Sequence, residues 1–169
     1  MGHGGDSIDP RRRRVLGSRG GAIIETALCF MPFMALLLGI TDLSLAMFIR
    51  QTMQHNVREG VRYAITYQVE DGQCHIPSIK AVVKKNSMGL LNDEKVEEYV
   101  KVKFYKPDGS AESGLNRPGH LVEVSVENME WKWIAPLWRV SAPMKVTVRS
   151  SDRMEGLGGG NDPPCLVTQ

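Results

Sequence analysis

One stretch limits what this chain can fold into more than any other: GGAIIETALCFMPFMALLLGITDLSLAMFI, from Gly20 to Ile49. Past Glu25 it carries no charge from Thr26 to Thr41. Roughly 20 apolar residues, each rising about 1.5 Å, cross about 30 Å of hydrocarbon. A lone segment can do this only as a helix, because lipid offers the backbone no hydrogen-bond partners. Residues 21–49 therefore read as a single membrane-spanning helix. Glu25 is out of place in it. A carboxylate a few residues inside the span costs free energy, which makes it a candidate functional residue.

Charge points to the same organisation. The formal net charge is +2, but the first twenty residues alone hold five arginines and two aspartates, so the rest is close to neutral. Arg11 to Arg14 could be a nucleic-acid patch. Placed just ahead of a membrane segment, the run reads instead as a topology signal that keeps this end in the cytoplasm. No nucleic-acid partner is expected. Residues 1–20 read as a disordered cytoplasmic leader.

Two readings of the leader compete. In one it is a secretory signal peptide, cut after Ala46 to release a soluble protein. The apolar run is long for that, Asp42 lies just before the cut, and Glu25 has no purpose. In the other the cut falls at the basic edge, between Gly20 and Gly21, and the helix stays in the product. Gly21 then carries a new α-ammonium and Glu25 is the fifth mature residue, about one turn away. The two charges can neutralise each other within one subunit or between neighbours, and a paired buried charge is far less costly than a lone one. A negative charge near a helix N-terminus is favoured by the macrodipole as well.

The basic leader, the glycine step after Arg19, and Glu25 at the head of an apolar helix resemble the type IV pilin processing signature. Residues 19–67, with RGGAIIETALCFMPFMALLLGI and QHNVREGVRYAI, resemble the TadE-like minor pilins (pseudopilins) of the tight-adherence pilus system. That resemblance implies processing at Arg19, Gly20 and Gly21 by a prepilin peptidase. It implies assembly through the N-terminal helix with other pilins and an inner-membrane platform. Thr26 departs from the family pattern, where many relatives carry an aromatic or apolar residue. Adjacent Gly20 and Gly21 leave the cut ambiguous by one residue, and only the spacing to Glu25 selects it.

Pro32, in mid-span, removes a backbone hydrogen bond and clashes with the Leu28 carbonyl, so a local kink is expected. In a pilin such a kink would help the helix leave lipid for a fibre; membrane helices also tolerate proline generally. Downstream, Met53, Val57, Val61, Ala64 and Ile65 recur on one helical face. A helix from about Ile23 to Gln68 would be roughly 70 Å long, with Gly60 marking close packing. Asp71-Gly72 reads as a turn and residues 76–91 as a short amphipathic helix with Pro77 in its first turn. NDEKVEEY, residues 92–99, reads as the solvated approach to a strand. Three strands alternate with period two around Val100, Val102 and Phe104, then Val122, Val124 and Val126, then Met144, Val146 and Val148.

The expected fold class is α+β and pilin-like: a long transmembrane-and-projecting helix packed on a short helix and a small antiparallel sheet. The expected divisions are a leader (1–20), a transmembrane helix (21–49), an extracytoplasmic domain (50–155) and a disordered tail (156–169). Cys29 reads as an inert apolar residue, while a Cys74–Cys165 disulfide is chemically allowed outside the cytoplasm. Trp131, Trp133 and Trp138 read as a loop folded onto the sheet rather than as a partner surface. The histidines lack metal-ligand spacing, and no catalytic or phosphate-binding motif is present, so neither an enzyme nor a cofactor is expected. The expected function is that of a processed minor pilin in the bacterial inner membrane, N-terminus cytoplasmic and domain periplasmic. An uncleaved signal anchor bearing a binding module is the alternative, beside the secreted form.

Overall fold

The computed structural model describes residue 1 and residues 18–110, 114–134, 143–157 and 163–165. Helix α1 runs Ser18–Ile65, with Pro32 inside it. It is followed by α2 (His75–Asn86), α3 (Asp93–Tyr99) and strands β1 (Val100–Tyr105), β2 (Leu121–Trp131) and β3 (Met144–Arg153). The strands form one antiparallel sheet in the order β1-β2-β3. The fold is thus the α+β arrangement expected. The chain divides into two compact units, Met1–Thr41 and Asp42–Gln169.

In the first unit the chain is helical from Ser18 onward, across Pro32. Its apolar side chains point outward on every side: Ile23, Leu28, Phe30, Met31, Phe33 and Leu36 are all exposed. Thr26 Oγ1 donates to the Ala22 carbonyl at 2.8 Å and Thr41 Oγ1 to the Leu37 carbonyl at 2.9 Å. Both hydroxyls are therefore satisfied inside the helix, which suits an apolar surrounding.

In the second unit α1 becomes one-sided. Ile49, Met53, Val57, Val61 and Ala64 are buried in one cluster with Ile79 and Val83 of α2 and the inner face of the sheet. This is the expected stripe, with Ile65 half-buried at its edge. Val100, Phe104, Val122, Val124 and Val126 supply the sheet's share, and full burial of each such side chain stabilises by about 1.5–3 kcal/mol. Asn56 also lies on the stripe, fully buried. With its amide nitrogen facing the carbonyls, it donates to Thr52 O at 3.0 Å and to Asn86 O at 2.7 Å, so it ties α1 to the last residue of α2.

Two elements differ from the sequence expectation. Residues 93–99 form helix α3 rather than the approach to a strand. Asn92 caps it by accepting from Lys95 N at 2.9 Å, and Asp93 and Glu94 occupy the first turn, where negative charge is favoured. Val96 is its one buried residue, too little apolar signal to reveal a helical period. Lys80–Glu97 and Lys84–Asp93 ion pairs join α3 to α2. Strand β2 also continues past the expected alternation. A register shift between Val126 and Met129, with Asn128 at φ 55°, inserts one residue. Inward positions accordingly change from even numbers (Val122, Val124, Val126) to odd ones (Met129, Trp131). Trp131 is a strand residue opposite Met144, Trp133 is half-buried, and Trp138 lies outside the described residues.

Gly60 sits where α1, α2 and β2 meet. A Cβ there would come within 2.7 Å of Val83 Cγ2, with Val124 and Ile79 at 3.6 and 3.7 Å. Val83 is fully buried and β-branched, so it has little room to yield. Overpacking of about 1–3 kcal/mol therefore opposes the helix-propensity gain of about 1 kcal/mol from replacing glycine. Gly60→Ala is expected to lower unfolding stability by about 1 kcal/mol. Adding Val83→Ala should make the Gly60→Ala step neutral or favourable, read as a double-mutant cycle by chemical denaturation.

Candidate assembly site

The residues singled out for processing and assembly all lie on α1. Gly20 and Gly21 are helical, and a Cβ at either would meet nothing within 4 Å. Arg19 is in the first turn of the helix. Glu25 is exposed and shares a shallow groove with Ala22, Thr26, Cys29, Phe30 and Phe33. Among the described side chains no cation lies within 4 Å of it. Pro32 is exposed about two turns further on. By length and composition the segment qualifies as a membrane span, its most apolar window reaching a mean hydropathy of 2.1 with no residue buried.

Within the second unit, Asp42 is buried, 4% exposed, and its Oδ1 accepts from Ile134 N at 3.1 Å. Sequence reasoning gave Asp42 no contact and missed this role. A carboxylate that ends an uncharged run was the available signal. The bond fixes the start of the segment after β2 to the base of the domain's share of α1.

The structure joins Cys74 to Cys165 in a disulfide closing a separation of 91 residues. Of the stretch expected to be a disordered tail, residues 163–165 are thereby held in place. His75 N donates to Cys165 O at 2.6 Å, and Asn116 Nδ2 donates to Pro164 O at 2.9 Å. Asn116 Nδ2 also lies 3.1 Å from His75 Nδ1. An amide nitrogen can only donate, so the neutral imidazole carries its proton on Nε2 in this assignment. The ring is fully buried and flanked by Tyr67 at 5.9 Å and Phe104 at 6.0 Å. Nε2 completes no hydrogen bond among the described residues. Sequence reasoning weighed Cys74 for a disulfide and set the histidines aside for want of metal-ligand spacing. The described residues contain no metal-binding cluster.

The chain thus combines a helix compatible, by length and composition, with a single-pass membrane anchor and a small α+β domain. Residues 20–62 match the model of the family described as TadE-like protein. Nearly all of that match lies within α1, and it bears out the resemblance read from its residues. It is consistent with a TadE-like protein of the tight-adherence (Tad) pilus system. No curated protein and no solved structure matches the chain.

Burial drives the His75 pKa below its ordinary 6.5, and the nearby Ala64 carbonyl opposes this only in part. The unfolded chain then binds more protons than the folded one from about pH 6.5 down to the lowered folded value. Stability is therefore greatest above that window and is lost as pH falls through it. Between pH 7.5 and 5 the wild type should lose more Tm than His75→Gln, both with the disulfide intact. Parallel Tm–pH curves would remove His75 as the cause.

Proposed function

We propose that the chain is a minor pilin or pseudopilin of a tight-adherence pilus. It is made as a precursor, cut by a prepilin peptidase between Gly20 and Gly21, and assembled through α1 with other pilins on an inner-membrane platform. Its role is structural, and the domain lies outside the cytoplasm. The observation that carries this reading is Glu25, without a cation partner among the described residues, on an exposed apolar helix inside the TadE-like match. In the mature chain the Gly21 ammonium is four helical positions away, about 6 Å along the axis. That ammonium, from the same or a neighbouring subunit, is the natural counter-charge.

Two features of α1 weigh against release after Ala46. The helix is unbroken at that point. A cut there would also remove Asp42, bonded to Ile134 N, and Leu45, packed against the core.

N-terminal sequencing of the protein from its host tests the reading. A start at Gly21 is expected; Met1 or Gly2 would identify an uncleaved anchor, and Met47 a secreted form. Glu25→Ala should be cut and inserted as the wild type is. Its crosslinking to partner pilins should drop about tenfold, the loss of roughly 1.4 kcal/mol of association. Undiminished crosslinking would refute the role given to Glu25.

A further inference from the structure

A helix leaves its first backbone N–H groups without intrahelical acceptors, and a side chain at the cap position normally supplies one. Helix α2 has Cys74 at that position, and its side chain makes no cap bond. Pro77, in the first turn, has no N–H to satisfy. Ser78 N begins the regular ladder on Cys74 O at 3.2 Å. The Ser78 hydroxyl is occupied, donating to Cys74 O and accepting from Glu70 N. His75 N finds its acceptor far along the chain, in the carbonyl of Cys165. The neighbouring carbonyl, of Pro164, accepts from Asn116, whose amide nitrogen also faces His75.

We propose that residues 163–165 are a redox-held cap of α2, and that the Cys74–Cys165 bond is its latch. Among the described residues, two hydrogen bonds hold the segment besides the disulfide. Each is of small net worth against the entropy of ordering three residues. The covalent bond therefore decides whether the carbonyls stay in place. Cys165 is the exposed partner and Cys74 the buried one, so a reducing dithiol reaches the Cys165 sulfur first. Its thiolate forms a mixed disulfide there and expels the Cys74 thiolate, which takes up a proton. The second thiol, giving up its proton, then displaces Cys165 as a thiolate that is protonated in turn. Two electrons and two protons pass to the protein, and the dithiol leaves as its own disulfide. With the latch open, His75 N loses its acceptor and Asn116 keeps only His75 Nδ1 of its two. The first turn of α2 frays while the sheet, which does not use these groups, stays paired.

The test is amide hydrogen exchange on the full chain in detergent micelles, with and without dithiothreitol, reduction being verified by intact mass. After reduction the His75 and Ile76 amides should exchange at least tenfold faster, whereas those of Val102 and Val124 stay within about threefold. Cys165→Ser should show the same pattern without reductant. Cys74→Ser, which breaks the bond but puts a hydroxyl at the cap, should keep Ile76 better protected than Cys74→Ala does. Unchanged exchange at His75 after verified reduction overturns the cap, as does equal protection of Ile76 in the two Cys74 variants. If Cys165→Ser does not accumulate folded, reduction of the folded wild type decides, and acceleration spread evenly through the strands also overturns it.

Discussion

The structure depends on one burial: the stripe of Ile49, Met53, Val57, Val61 and Ala64 against α2 and the inner face of the sheet. Three strands have too small an apolar face to stand alone in water, and this helix supplies the missing layer. The same helix begins as a segment apolar on all sides. One secondary structure thus passes from a surface suited to lipid or to other helices to one suited to a domain core. Gly60 shows how close the domain packing is, since only a residue without a Cβ lets α2 approach there.

The architecture was legible where period and length were strong. The apolar run, the stripe on α1 and the alternation around Val100, Val122 and Val146 each repeat a single pattern several times. What escaped had a weak or broken pattern. Helix α3 has one buried residue, Val96, and is specified by its Asn92 cap and acidic first turn. The bulge at Asn128 reverses which side chains of β2 face inward, so strict alternation from Val122 loses Trp131. Single-residue events of this kind carry no periodicity to detect.

The candidate site was legible to a different degree. Glu25 stands out in sequence because a charge in an apolar run is an anomaly of composition, and its helical position follows from the segment itself. The Asp42–Ile134 and Asn116–His75 contacts join residues 92 and 41 positions apart. Nothing local marks them. Asn116 in particular lies in a stretch whose glycines and prolines suggest only a loop. Its amide matters because folding brings Cys165 beside Cys74.

The disulfide has a mechanical consequence. Residues 74 to 165 form a covalent ring that contains α2, α3 and all three strands, while α1 lies outside it. Tension applied through α1 can strip the helix from its seat and extend the short connection between Ile65 and Cys74. It cannot draw the strands out one after another, because the ring passes the load directly from one sulfur to the other. With the other end of the load at or beyond Cys165, a domain built this way yields to pulling by a limited, fixed extension, and its sheet is shielded from the load.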